Sequence, residues 1–386
     1  MKKGLKIAVL SVILFVFSYS LIFEAFQEQI QDKLFFKYGF VVDKKLSGVF
    51  TYLTPKELKF KSWFDGSFQE NRNAFTEENI AFRNWLVKLK NQIHFSLFKE
   101  SGNKTVVVGK DNVLFEKRYL DSYIGKDYLG EKEVYKRTKQ LEAVQAKLQK
   151  KGKQLLVILA PSKPHLFSDK LPIEFAPQPT VNSNYKAFKF ALSNSSINTI
   201  DFNEWMLKIA DTSRYTLIPQ NGAHWSNYFA SISGDSIIRK IEKLTQKKMR
   251  HFSASKYDVS ENAGKSEDDL LFIMNLIIPL KNKPLADPQL VFAGDNSAFK
   301  PNVIAIADSY YWNLIFMNIP LEVFDFESQY WYYNKKVFTF KVADEDISKI
   351  DFKASIKEAD VVLIIATEPN LVEFPYGFEN QFNNNY

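Results

Sequence analysis

Four short runs of this chain, Leu155–Ala160, Val303–Ala307, Leu321–Phe326 and Val361–Ala366, are wholly or largely apolar. A strand that alternates apolar and polar side chains can leave one face in water, whereas a run without that alternation has to be covered on both faces. Cover on both faces is the layering of parallel α/β proteins, in which helices pack above and below one sheet. The segments between the runs fit this. Glu131–Lys151 is charged, with Val134, Leu141, Val144 and Leu148 on one side and Gly152 at its end, which predicts a surface helix. Pro161 stops the strand that follows. Thr199–Phe202 predicts another strand, and Asn203–Ile209, Asn227–Leu244 and Asp268–Leu276 predict helices, the last with acids in its first turn. Thr105–Gly109 and Val113–Phe115, separated by Lys110-Asp111-Asn112, predict a hairpin. Ser67–Lys99 carries apolar positions at helical spacing, Arg250–Lys265 reads as polar loop, and the asparagine-rich end, residues 381–386, reads as frayed.

The N-terminus opens with Lys2, Lys3 and Lys6 and then runs from Ile7 to Phe23 without a charge. This fits a signal peptide or a single membrane anchor; Phe17, Tyr19 and Leu21 crowd the place where a cleavage site needs small residues, so an uncleaved anchor is expected. The lysines then stay in the cytoplasm, which puts the body on the other side of the inner membrane, in the periplasm or extracytoplasmic space. The expected organisation is an anchor over residues 1–25, a helical stalk over 26–64 and an α/β domain over 65–386. No cysteine is present, which excludes disulfides, thiolate metal sites and cysteine nucleophiles. The net charge of +7 comes from basic residues scattered among acids, with no basic stripe of the kind that binds nucleic acid. His94, His165, His224 and His251 show no metal-ligand spacing, so neither a metal nor a cofactor is expected.

Two places carry the chemistry. The run Val303–Ala307 ends in Asp308-Ser309 and passes into a segment with helical spacing, which is how α/β enzymes present a nucleophile at the carboxyl edge of a sheet. His224 lies in a polar turn, Asn221-Gly222-Ala223-His224-Trp225-Ser226, and histidine is the base whose pKa suits serine chemistry. Together Ser309 and His224 suggest a hydrolase or acyltransferase. The plain alternatives are a helix cap at Asp308-Ser309 and a histidine packed beside Trp225, with Ser226 as N-cap.

The order of motifs resembles a known family. A helix with Asn71-Arg72 is followed by Val107-Val108-Gly109-Lys110-Asp111 with Leu114-Phe115, by Ala160-Pro161-Ser162-Lys163 and Leu171-Pro172, by His224-Trp225, by Asp308-Ser309, and by Ala359–Ile364. Over roughly residues 65 to 370 the chain resembles the SGNH-hydrolase-like domain of the alginate O-acetyltransferase family. The resemblance implies a three-layer α/β/α fold with a mainly parallel sheet, preceded here by the membrane-spanning helix. It implies Ser309 as nucleophile and His224 as base in transfer of an acetyl group to a polysaccharide hydroxyl. The partners it implies are the polysaccharide acceptor and a multi-spanning membrane protein that supplies the acyl group. Lys163, Asp308, Tyr311 and Trp225 are the candidate substrate contacts; solvated lysine, capping and core packing are their plain alternatives. The cluster Gln329–Tyr333 is a further candidate platform for a sugar, with buried packing as its alternative.

The sequence departs from the family at one telling place. Members carry an aspartate two residues before the histidine, to orient its ring; here that position is Gly222. Three readings stay open. Another acid, Asp268 or Asp269, reaches His224; a slower Ser/His dyad operates; or the chain is a silent relative that binds glycan or bridges a machine. A carbohydrate esterase, in which water resolves the same acyl-serine, is the enzymatic alternative.

Overall fold

The computed structural model describes residues 57–386, apart from 80–82, 177–181, 262–265, 295–296 and 342–343, and only isolated positions before 57. The expected anchor, and most of the expected stalk, therefore lie outside the described residues. Among the described residues no helix is long and apolar enough to cross a membrane.

Two compact units are present: residues 1–103 with 272–279, and residues 104–271 with 280–386. In the first, the amphipathic stretch forms two helices, α1 (Ser67–Asn79) and α2 (Arg83–Phe98). Asn91 on α2 is buried and donates to the Met274 carbonyl.

The second unit begins with the predicted hairpin, β1 (Val106–Val108) against β2 (Leu114–Glu116). After α3 (Glu131–Gln149) comes β3 (Gln154–Leu159), then β4 (Thr199–Asp201), α4 (Phe202–Ile209) and α5 (Asn227–Thr245). The rest of the sheet is β7 (Val303–Ala307), β8 (Gln329–Tyr332), β9 (Lys336–Thr339), β10 (Glu345–Asp346) and β11 (Val361–Ala366). Seven strands lie in the order β10-β9-β8-β7-β11-β3-β4. The five from β8 to β4 run parallel; at one edge β9 pairs antiparallel with β8, and β10 antiparallel with β9.

The period of two along the apolar strands divides the core into two layers. Leu156, Ile158, Val303, Ala305, Leu363 and Ile365 pack with Phe229, Ile237 and Ile241 of α5. Leu155, Val157, Ile304, Ile306, Val362 and Ile364 face the other way, onto Val134, Leu141, Val144 and Leu148 of α3 and onto Phe378 and Phe382 of the last helix. A central, mostly parallel sheet with helices on both faces is thus the architecture, and burial of each valine, leucine, isoleucine or phenylalanine side chain stabilises it by about 1.5–3 kcal/mol. The last strand, β11, enters between β3 and β7, so the carboxyl ends of three neighbouring strands face one site.

Three expectations are corrected. Leu321–Phe326 is not a strand: Ile319–Val323 is a short helix with Pro320 in its first turn, and the strand beside β7 is the aromatic segment Gln329–Tyr332. Arg250–Lys265 is not wholly loop, because Phe252–Ser260 (β5) pairs antiparallel with Leu285–Phe292 (β6). Most side chains of β5 are exposed, so the apolar signal that marks buried strands is missing there. The end of the chain, Phe378–Asn385, is a helix held to the core by Phe378 and Phe382.

Candidate active site

The strand β7 ends at Ala307, and its apolar path gives way to two polar residues whose side chains do different things. Asp308 is fully buried. One carboxylate oxygen accepts from the Tyr310 N–H at 3.1 Å, an Asx turn that starts the helix Tyr311–Phe316 (α7). The other accepts from the Thr367 N–H and hydroxyl, both at 2.7 Å, and from the Asn370 amide at 2.9 Å. Asp308 therefore ties the end of β7 to the end of β11. Ser309 has no capping role; it is partly exposed, and its Oγ lies 2.8 Å from Nε2 of His224.

His224 is held on its turn by the sequence around it. Ser226 caps α5, accepting from the Phe229 N–H and donating to the Thr216 carbonyl. Trp225 is buried and donates from Nε1 to the Tyr310 carbonyl at 3.2 Å, while the Tyr310 hydroxyl donates to the Ala223 carbonyl at 2.7 Å. These two reciprocal bonds strap the histidine turn to the serine turn. Each buried polar tip finds a partner in the other turn, as a buried tryptophan or tyrosine requires.

The third member comes from the beginning of α6 (Asp269–Met274). Oδ2 of Asp269 lies 2.7 Å from His224 Nδ1, and its Oδ1 accepts from the N–H groups of Ala223 and Leu270. Neighbouring Asp268 is engaged elsewhere, by the Asn282 amide. Glycine at position 222 is explained by the same segment. A Cβ there would stand 2.4 Å from the Glu267 carbonyl oxygen and 3.0 Å from Asp269 Oδ1. The segment that brings Asp269 to the histidine fills the space a side chain at 222 would need.

Electrostatics agree with the geometry. Burial works against protonation of His224, but the bond to Asp269 and its charge, reinforced by Asp308 and Glu116, outweigh this and raise the imidazole pKa. Burial likewise opposes ionisation of Asp269, yet His224, the Ala223 N–H and the Lys163 charge hold its carboxyl below the ordinary value. Glu116, at the end of β2, is close enough to feel both His224 and Asp269, and burial raises its pKa. Nothing in its local sequence marked it. A line Asp269–His224–Ser309 of this kind lets Nε2 take the hydroxyl proton while Nδ1 keeps its own, the requirement for an activated serine.

The four expected substrate contacts lie elsewhere than expected. Lys163 is buried, with Nζ donating to the carbonyls of Gln220 and Gly222 at 2.8 and 2.7 Å. Asp308 and Trp225 are fully buried in the bonds just described, and Tyr311 is buried against Tyr330. None of the four presents a surface to a sugar. Within the cluster Gln329–Tyr333, Tyr330 and Trp331 are core residues, and Tyr332 and Tyr333 are only partly buried. The helix after Ser309 is six residues long, and its first N–H groups are occupied: Tyr310 on the Asp308 carboxylate and Tyr311 on the Asp308 carbonyl.

Comparison with known proteins agrees with the resemblance read from the sequence. Residues 106–289 match the family described as "SGNH hydrolase-like domain, acetyltransferase AlgX", a span that contains His224 and Asp269 and ends before Ser309. Among solved structures, the O-acetyltransferase domain of Pseudomonas putida AlgJ is similar at 15% identity and TM-score 0.48, covering 73% of this chain and 99% of that one. Pseudomonas aeruginosa AlgX is similar at 13% identity and TM-score 0.41, covering 69% of this chain and 67% of that one. Bacillus cereus PatB1 is similar at 12% identity and TM-score 0.40, covering 70% of this chain and 97% of that one. No curated protein sequence matches the chain.

Proposed function

We propose that this chain is a polysaccharide O-acetyltransferase working through an acetyl-serine, with Ser309 as nucleophile, His224 as base and Asp269 as the acid that orients it. The observation that carries the reading is the unbroken line from Asp269 Oδ2 to His224 Nδ1 (2.7 Å) and from His224 Nε2 to Ser309 Oγ (2.8 Å). The family match over residues 106–289 supports acetyl transfer as the chemistry.

In the first half-reaction Ser309 Oγ attacks the carbonyl carbon of the donor acetyl group as His224 Nε2 takes its proton. The tetrahedral intermediate collapses, the donor's leaving oxygen or sulfur takes that proton from His224, and acetyl-Ser309 remains. In the second, His224 takes the proton of a sugar hydroxyl, whose oxygen attacks the acetyl carbonyl; Ser309 leaves and recovers the proton. Asp269 keeps the imidazole in the tautomer with a free Nε2 and stabilises the imidazolium between steps. Glycine at 222 thus ceases to favour a silent scaffold, since an acid stands on Nδ1 from another direction. The acceptor is an exported or cell-surface polysaccharide, the acyl group comes from a membrane-embedded partner, and residues 1–25 anchor the body outside the cytoplasm.

The test is an activated acetyl ester offered to the full chain, Ser309→Ala and His224→Ala, with intact mass and released alcohol followed. An acetyl adduct that maps to Ser309 in the wild type and is lost in both variants is expected, and added oligosaccharide should take the acetyl group in preference to water. Equal behaviour of all three proteins would sink the reading. Acetate release unaffected by sugar would make the protein an esterase.

A further inference from the structure

The turn that carries His224 has four successive backbone carbonyls, and all four are held by donors from outside the turn. Gln220 O accepts from the Leu114 N–H and from Lys163, Asn221 O from the Leu271 N–H, Gly222 O from Lys163, and Ala223 O from the Tyr310 hydroxyl. Among the described residues only Lys163 reaches two of them. Its backbone is anchored at the carboxyl edge of the sheet: Ala160 N–H donates to Ala366 O across to β11, and Ser162 N–H to the Asn203 side chain. Its stem crosses a pocket walled by Phe115 and Phe167, whose ring centres lie 5.6 and 5.7 Å from Nζ. A lysine with almost no exposure is rare unless its head is fully bonded, and this head is spent on two main-chain carbonyls rather than on an acid.

We infer that Lys163 is a positioning residue for the acyl transfer: it pins the turn 220–224 to the rigid sheet edge and so sets the distance from His224 to Ser309. The inference rests on the reading of His224 as the base. Burial pushes the Lys163 ammonium down to about 7, with Asp269 pulling the other way. The brace does not depend on its protonation state, because a neutral amine still has the two N–H groups that the two carbonyls need. Without Nζ the Gly222 carbonyl, two residues before the histidine, loses its donor, while Gln220 keeps Leu114. A buried carbonyl left unpaired draws the chain toward a new partner, and a displacement near 1 Å at a base costs about 10²-fold in rate.

The experiment compares wild type, Lys163→Met and Lys163→Gln in the full chain, with two readouts. The first is transfer from an activated acetyl ester, resolved into kcat and KM. The second is the low-field proton resonance of His224 Nδ1 in its bond to Asp269, which needs no turnover. Met is expected to lower kcat tenfold to a hundredfold with KM unchanged and to broaden or shift the low-field proton. Gln keeps two N–H donors but is one atom shorter and cannot reach both carbonyls at full strength, so it is expected between Met and wild type on both readouts, and serves as the milder variant should Met not fold. Either folded variant with kcat within twofold of wild type and an unmoved proton overturns the inference. A loss expressed wholly in KM also overturns it, since that would make Lys163 a substrate contact. If the wild type forms no adduct at Ser309, the proposed function fails, but the proton resonance still decides whether Lys163 sets the histidine.

Discussion

Replacing Asp269 by Asn separates a working triad from a dyad or an inert site. The change is nearly isosteric, and the structure says which way the amide will face. Oδ1 of Asp269 accepts from two backbone N–H groups, those of Ala223 and Leu270, at 2.8 and 2.9 Å. An Asn carbonyl oxygen can satisfy both; its NH₂ cannot. The amide therefore turns its NH₂ toward His224 Nδ1, where the carboxylate now accepts at 2.7 Å. Nδ1 must then act as acceptor, the ring proton moves to Nε2, and Nε2 points a hydrogen at Ser309 instead of a lone pair. Loss of the acid's function in a serine triad costs about 10⁴ in turnover, or about 5.4 kcal/mol at 1.36 kcal/mol per decade. The two backbone bonds survive, so the fold should not suffer; circular dichroism and melting temperature are expected near wild type. The assay is single-turnover acetylation of Ser309 by an activated ester, followed by intact mass. A rate for Asp269→Asn within tenfold of wild type would refute the assignment of Asp269 and leave a Ser/His dyad.

Gly222→Asp, which restores the acid at the family's position, is expected to harm the protein rather than rescue Asp269→Asn, because its Cβ would stand 2.4 Å from the Glu267 carbonyl oxygen; overpacking of this kind costs about 1–3 kcal/mol, read as a lower melting temperature. The raised His224 pKa puts the acid limb of kcat/KM above the ordinary imidazole value, since only neutral Nε2 can accept a proton, and Asp269→Asn should move that limb down. Burial lifts Glu267, only 4% exposed, to about 7, so the folded chain holds its proton more tightly than the unfolded one and stability falls as pH rises from the ordinary glutamate range to about 7. Glu267→Gln, which can still accept from the Asn227 N–H, should flatten that window and exceed wild type in stability near pH 8 by up to about 3 kcal/mol, measured by denaturant unfolding at several pH values. Asp308→Asn brings an NH₂ among the donors of Tyr310, Thr367 and Asn370 and should destabilise by about 1–3 kcal/mol in the same measurement.

Much of the layered fold was legible because it rests on local signals. Apolar runs without alternation mark strands buried on both faces, as β3, β7 and β11 are. The strand β8 was hidden, its aromatic residues suiting a surface platform as well as a core, while Leu321–Phe326 mimicked a strand because its apolar content was not matched to any period. The antiparallel pair β5–β6 was missed because most of β5 is exposed and lacks the apolar signal.

The sequence by itself determined which residue types could do the chemistry: Ser309 at the end of a buried strand and His224 in a polar turn, with Gly222 where the family resemblance implies an orienting acid. It narrowed the replacement to Asp268 or Asp269 and could go no further, because the two are adjacent and differ only in the direction each side chain takes from a helix start. Tertiary structure decided between them, sending Asp269 to His224 and Asp268 to Asn282. It also decided burial, which no local pattern carries for a polar residue in a loop. Lys163, Asp308 and Trp225 read as residues that face a substrate, yet each is buried with its polar atoms bonded inside the protein. Whether a polar side chain meets water or a carbonyl depends on what distant segments bring to it, and those partners lie some 60 to 85 residues away in the chain.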